Sequence, residues 1–403
     1  MIPGMTKSGI SFVDALFTST SAVCVTGLTV LDTGKDFTFA GQLVILVLIQ
    51  LGGLGIMTAS TLLMHIVLGR SPVAGEIALR DSYGAVVDVK FSRFLLWIFL
   101  TTFVIEVLGV LSLYYEFRSL GVSQPLWSSI FHSVSAFCNA GFSLYSDSLE
   151  SFAGNFTVIL TFAVLIILGG IGFIVIYEIL HRRLSLHSKI VILTTAFLIF
   201  SGTVVFFLLE RSNTLRDMDF SRALLNSFFE AVTPRTAGFN SVPTSHLKPA
   251  TLFVIFFLMV IGASPGSTGG GIKTTTFALL MLSFVAFVRK RRKVSVLGRT
   301  VNEWDVFKAH VVFIAYVLFF AFSTFLLLIA EDISPYRLMF EAASALGTVG
   351  LSTGITPSLS NFSKIVLVIT MLAGRVGPLT FAASLAKERS YPVEYPHEGV
   401  FVG

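Results

Sequence analysis

Charge is scarce in this chain. Only 13% of its 403 residues are Asp, Glu, Lys or Arg, about half the ~25% that a soluble globular domain carries. Cysteine is nearly absent, and two thiols cannot build a disulfide framework. The seven histidines never take the spacing of a metal-binding motif. No acid–base pair and no nucleophile beside a base emerges, and no low-complexity linker divides the chain. These absences exclude a soluble enzyme, a disordered chain and a DNA-binding domain. What the chain has in plenty is apolar: 54% hydrophobic residues, 40 Phe and 33 Gly, with a mean hydropathy of +0.85. A polytopic membrane protein remains.

A bilayer-crossing helix needs about 20 mostly apolar residues. Such stretches run from Gln42 to Val67, Phe94 to Tyr114, Thr157 to Leu180, Lys189 to Leu209, Ala250 to Val288, His310 to Ile329 and Ile365 to Leu385. The net charge is a modest +5, so where the positive charges sit matters more than their sum. They form four clusters: Arg70/Arg80/Lys90/Arg93, Arg182/Arg183/Lys189, Arg289–Lys293 and Lys387/Arg389. Positive charge beside spans favours the cytoplasm. The clusters fall on every second connection, so one alternation satisfies them all and puts the segments before Gly27, Gly141, Gly238 and Gly350 outside. Seven spans then leave Met1 outside with no signal peptide to carry it there, so a first helix is expected to be missing.

A fourfold internal repeat is the strongest signal in the sequence. FTSTSAVCVTGL (Phe17–Leu28), FHSVSAFCNAGF (Phe131–Phe142), FFEAVTPRTAGF (Phe228–Phe239) and FEAASALGTVGL (Phe340–Leu351) each place a Phe ten residues before a Gly, followed by Leu or Phe. Each segment is too short and too polar to span. A half-length helix descending from the outer face and returning as extended chain fits it. Irregular backbone at membrane depth is tolerated only where it is buried in protein or lines a watery path. Four copies about one axis could offer carbonyls in place of a cation's hydration shell. The repeats divide the chain into residues 1–75, 76–185, 186–300 and 301–403.

A second glycine motif follows each segment: LGGLG (Leu51–Gly55), LGGIG (Leu168–Gly172), IGASPG (Ile261–Gly266) and AGRVG (Ala373–Gly377). The first two read as small-residue helix contacts. The third cannot be a straight helix, because Pro265 removes an amide donor within a dense glycine run. One broken inner helix is therefore expected. GSTGGGIKT (Gly266–Thr274) imitates a phosphate-binding loop, but Ile272 interrupts the required Gly-Lys step and no strand precedes it. Arg375 stands in the fourth motif amid apolar sequence, where a charge is paired or faces a cavity.

With these motifs assembled, the chain resembles the Ktr/Trk/HKT superfamily of cation transporters, and specifically the membrane subunit of Ktr-type bacterial potassium uptake systems. AVCVTGL, FCNAGFS, AVTPRTAGFNS and ALGTVGLS carry the resemblance, which runs from Phe12 to Gly403. It implies an all-α membrane fold of four helix–pore helix–filter–helix repeats around one central pore, here without the first outer helix. It implies a filter of Val25-Thr26-Gly27, Asn139-Ala140-Gly141, Thr236-Ala237-Gly238 and Thr348-Val349-Gly350, holding K+. It makes the broken third inner helix a gate, formed by Gly262, Ala263, Ser264, Pro265, Gly266, Ser267, Thr268, Gly269, Gly270, Gly271 and Lys273 through Thr276, with Arg375 meeting it in the pore. No cofactor is expected in this chain. The implied partners are a second copy in the bacterial plasma membrane, the lipid bilayer, and a cytoplasmic ring of nucleotide-binding subunits that takes ATP or ADP; nucleic acid is not among them. The tail Tyr391–Gly403 would lie at those contacts.

Other features are weaker. Cys24 and Cys138 stand three residues before a repeat glycine, where packing is favoured over a disulfide. Arg235 could brace the third copy. Glu230 and Glu341 could draw cations or hydrogen-bond nearby backbone, and His132 reads as a packed helix residue. Rivals to the transporter reading are a secondary transporter with inverted repeats and a membrane-embedded enzyme or scaffold. All four segments lie on one side, against the first, and no catalytic constellation supports the second. Within the superfamily, a Trk-type or sodium-permeable subunit is the alternative; the glycine in all four copies favours potassium.

Overall fold

The computed structural model describes residues 4–55 and 91–377. Four short helices set the plan: α1 (Phe12–Val23), α4 (Pro125–Phe137), α8 (Phe220–Val232) and α12 (Pro335–Gly347). At 12 or 13 residues each is about 20 Å long, roughly half a membrane. Their starts are chemically marked. Ser11 and Asp219 side chains accept from backbone N–H groups in the first turns of α1 and α8, and Pro125 and Pro335 open α4 and α12.

Each short helix sits between longer elements. The long helices α3 (Phe91–Ser119), α7 (Leu186–Glu210) and α11 (Glu303–Ala330) precede the second to fourth copies. After the short helices come α2 (Phe39–Gly53), the pair α5 (Phe156–Ile171) and α6 (Phe173–Leu180), the pair α9 (Pro249–Val260) and α10 (Thr274–Val288), and α13 (Asn361–Val376). A two-strand hairpin, Ser295–Val296 against Arg299–Thr300, follows the exposed basic run Arg289–Lys293.

Among the described residues, three unbroken helices are long and apolar enough to cross a bilayer: α3, α7 and α11. Their outward faces carry exposed Leu100, Phe103, Phe197, Phe200, Phe322 and Phe325. A contiguous apolar exterior on this scale is what a lipid-facing surface requires.

One expectation is corrected here. The sequence reads Thr157–Leu180 as a single crossing with only small-residue packing at its glycines. Instead α5 and α6 meet at a 98° bend. Gly172 takes φ +97° at the joint, backbone that suits glycine alone. Gly55, Gly266 and Gly377, the last glycines of the other three motifs, also have positive φ. All four motifs thus share a left-handed glycine at the end of the inner helix; Gly172 alone separates α5 from α6, whereas residues 261–273 separate α9 from α10. Residues 56–67 and 378–385 of two expected spans, the basic residues Arg70, Arg80, Lys90, Lys387 and Arg389, and the tail Tyr391–Gly403 lie outside the described residues.

The interior explains the repeat's apolar markers. Phe17, Phe131 and Phe340 are buried, and in the third copy Phe228 is half-buried beside a fully buried Phe229. Leu28, Phe142, Phe239 and Leu351, which follow the repeat glycines, are all buried anchors.

Candidate functional site

After each short helix the chain makes the same pair of left-handed turns. Val25, Asn139, Thr236 and Thr348 adopt φ of +56°, +60°, +75° and +50°. Side chains with a Cβ rarely occupy this region, and β-branched ones least of all. Two residues on, Gly27, Gly141, Gly238 and Gly350 return to positive φ. Such strained backbone persists only where the surroundings hold it, and it clusters at functional sites. The sequence marks the glycines but gives no sign of the strain at the preceding position.

The four loops meet. A Cβ on Gly27 would lie 2.6 Å from the Ala140 carbonyl oxygen and 2.9 Å from Gly141 Cα. One on Gly141 would lie 2.9 Å from the Ala237 oxygen and 3.1 Å from Gly238 Cα. Gly238 faces the Val349 oxygen and Gly350 in turn, and Gly350 faces the Thr26 oxygen and Gly27. The contacts run from copy one to two, three and four and back to one. They close a ring in which each glycine abuts the next copy's glycine and the carbonyl before it, from Ala140, Ala237, Val349 and Thr26 in turn. Of the expected set, Thr26-Gly27, Ala140-Gly141, Ala237-Gly238 and Val349-Gly350 meet in this ring, and the Asn139 and Thr236 side chains lie 3.3 Å apart beside it.

Hydroxyls behind the ring hold the loops. Ser21 Oγ accepts from Gly27 N–H at 3.1 Å, and Ser344 Oγ from Gly350 N–H at 3.0 Å. Ser135 Oγ donates to the Phe142 carbonyl at 2.7 Å. In the third copy Val232 occupies the equivalent place, and Thr233, one residue on, donates to the Phe239 carbonyl instead. A second tier braces the ascending chain: His132 Nε2 accepts from Leu144 N–H, Glu230 from Ser241 N–H and Glu341 from Thr353 N–H. Of the two readings open for Glu230 and Glu341, backbone hydrogen bonding is the one observed, and both are buried. The sequence signal was a polar residue at the second or third place of an otherwise small and apolar segment.

Outside the ring lies a cavity of about 410 Å³ lined by Gly27, Gly141, Gly238 and Gly350 at its floor. Asp32 and Glu150 line its walls. Burial pushes the Glu150 carboxyl above its ordinary value, against the Asn240 hydrogen bond at 2.7 Å that lowers it.

Away from that cavity, the chain between α9 and α10 packs against the starts of the second, third and fourth loops. Gly262 N–H donates to the Ile272 carbonyl and Ala263 N–H to Gly270, pinching the loop at its neck. Ser264 N–H donates to Gly170, Thr268 N–H to Gly169, and Thr268 Oγ1 to the Phe137 carbonyl at 3.2 Å. Gly270 N–H reaches Thr348 Oγ1 at 3.1 Å, in the fourth loop. Gly266 accepts from Phe173 N–H at the α5–α6 joint. Ser267 bonds the Ser264 carbonyl, and Lys273 Nζ bonds the Gly269 carbonyl at 2.7 Å. Arg375, from α13, donates to the carbonyls of Thr268 and Gly52. One side chain therefore ties the loop to the glycine turn of α2.

Of the remaining candidates, Cys24 and Cys138 are free and buried, and Arg235 is buried with its guanidinium on Thr195 Oγ1 at 3.3 Å. The described residues hold no cluster of His, Cys, Asp and Glu suited to a metal ion.

Four re-entrant loops closing on one axis, jacketed by apolar helices, define a pore-type membrane transport protein. A model of the TrkH cation transport protein family matches residues 2–391, and the chain belongs to that family, one of transporters and not of enzymes. Over its whole length it is 39% identical to the Ktr system potassium uptake protein B of Vibrio alginolyticus, covering 90% of that protein. It is 38% identical, again over its whole length, to the potassium/sodium uptake protein NtpJ of Enterococcus hirae, covering 92% of it. The crystal structure of the potassium transporter TrkH from Vibrio parahaemolyticus shares the fold, with a TM-score of 0.75 over 94% of this chain and 79% of that one, at 22% identity.

Proposed function

We propose that this chain is the membrane subunit of a potassium uptake system and passes K+ passively, down its electrochemical gradient, along the axis of the ring. The closed contact circuit Gly27–Gly141–Gly238–Gly350 is the observation that carries the reading. Four loops in strained, hydroxyl-braced backbone present carbonyls to one point, and carbonyls are the ligands that replace a potassium ion's water. The acidic vestibule above it raises local cation concentration. The 262–276 loop stands directly in the exit path and acts as its gate, with Arg375 as the latch. Relatives named as Ktr system proteins support a cytoplasmic nucleotide-binding regulatory ring that takes ATP or ADP, and a homodimer in the bacterial plasma membrane. The potassium/sodium relative supports a second reading, in which sodium also passes.

The test is growth of a potassium-uptake-deficient bacterium on low potassium, with the chain expressed beside a regulatory subunit. Rescue is the expected result. Lack of rescue with the chain present in the membrane overturns the proposal.

A further inference from the structure

Glu106 lies in the middle of α3, within the apolar run Phe94–Tyr115, as its only ionisable group short of the terminal tyrosines. An acidic side chain at such a site is costly and marks a functional position. It does not face the exterior: Glu106 is 8% exposed, while its neighbours Phe103, Val104 and Leu108 are open. One turn earlier on the same face, Thr102 is 1% exposed. Glu106 Oε1 and Thr102 Oγ1 have no hydrogen-bond partner among the described residues.

The other carboxylate oxygen is engaged. Gln50 Nε2 donates to Glu106 Oε2 at 3.4 Å, and the Gln50 Oε1 left free by that orientation accepts from Cys138 Sγ at 3.6 Å. Three elements are joined in sequence: α3, α2 and the shoulder of the second loop. Cys138 immediately precedes Asn139, the strained residue that starts this loop. The fit around it is tight, since a Cβ on Gly53 would lie 2.5 Å from Cys138 Sγ and 2.8 Å from its Cβ. Ser133 Oγ binds the Glu106 carbonyl at 2.7 Å and fixes α4 to the same turn of α3. Two residues beyond Gln50, the Gly52 carbonyl receives Arg375.

We propose that Glu106 is a positioning residue for the second loop. Its carboxylate holds the Gln50 amide in the one orientation that offers an acceptor to Cys138, and so sets where Asn139 enters the ring. The inference rests on the reading of that ring as the potassium filter. An apolar residue at 106 frees the amide to turn, and Cys138 loses its acceptor. A glutamine at 106 can still accept from Gln50 through its own carbonyl.

The test measures K+ uptake against Na+ competition in cells expressing the full chain with a regulatory subunit, with membrane abundance measured alongside. Glu106→Leu and Gln50→Leu should each lower K+ over Na+ discrimination about tenfold, the scale of one lost hydrogen bond to a charged group, while Glu106→Gln stays near wild type. Gln50→Leu carries the test if Glu106→Leu fails to reach the membrane. Wild-type discrimination in the leucine variants, or a Glu106→Gln variant as impaired as Glu106→Leu, overturns the proposal. If the unsubstituted chain itself shows no K+ uptake, the filter reading fails with it, a result distinct from failure of the variants alone.

Discussion

Lys364 and Asp14 stand 350 residues apart and meet at 2.7 Å. The lysine belongs to α13 and the aspartate to the first turn of α1, so the ion pair joins the last unit of the chain to the first. The pair is largely buried, with side-chain exposures of 10% and 22%. It fastens the same seam that the Gly350–Gly27 contact closes at the ring.

Removing one member leaves the other charge poorly solvated. Asp14→Asn should therefore destabilise the folded chain by about 2 kcal/mol, less than the ~3–5 kcal/mol for a fully buried pair because both side chains keep some exposure. Thermal unfolding in detergent checks it. The Asp14→Asn/Lys364→Met double variant should lose less than the sum of the singles, because the two residues share one interaction.

Gly27→Ser places a Cβ against the Ala140 carbonyl on backbone with φ +92°. The ring must shift at one quarter of its circumference. Discrimination of K+ against Na+ should fall about tenfold, a cost of roughly 1.4 kcal/mol. Competition uptake measures it, and unchanged selectivity would remove Gly27 from the filter.

Deleting Ala263–Gly271 should raise flux in the absence of the regulatory subunit. Arg375→Ala should raise it less, since the loop keeps its bonds to Gly169, Gly170 and Thr348. Tracer influx into proteoliposomes distinguishes the two variants, and equal basal flux in both and in the unsubstituted chain sinks the gate assignment.

Glu341 accepts from Ser352 Oγ, Thr353 N–H and Oγ1, and Thr356 Oγ1. Glu341→Ala strands several buried donors at once and should cost on the order of 3 kcal/mol. Glu341→Gln should cost less, since its amide carbonyl still accepts. Melting temperatures of the two variants give the comparison.

The raised Glu150 carboxyl takes up its proton at a higher pH than an ordinary glutamate, because burial disfavours its charged form. Uptake at sub-saturating K+ should fall as external pH is lowered through that range, when the vestibule loses a negative charge. Glu150→Gln should show low uptake that no longer varies there. A pH profile of the two proteins decides the point.

The fourfold plan, its loops and the long third turn were legible in the sequence because glycine spacing repeats in register and charge is too sparse to obscure it. The bend at Gly172 was not. LGGIG has the same composition whether its glycines admit a neighbouring helix or break their own, and only the backbone angle separates the two. The strain at Val25 and Thr348 left no trace either, since both are ordinary β-branched residues whose conformation is imposed by neighbours. Buried polar pairs such as Asp14–Lys364 and Glu106–Gln50 join distant segments, and their distance in sequence hides them. Arg375 announced itself as a charge in an apolar run, while its carbonyl partners became visible only in three dimensions.

The loop between α9 and α10 is bonded to the glycine turn of α5, to the second and fourth ring loops and, through Arg375, to α2. An assembly of four identical chains would have to carry four such loops about a single axis. Joining the quarters in one polypeptide lets each diverge on its own. On the proposed reading of this loop as a gate, the obstruction comes from the third quarter alone, and the closed state is asymmetric by construction.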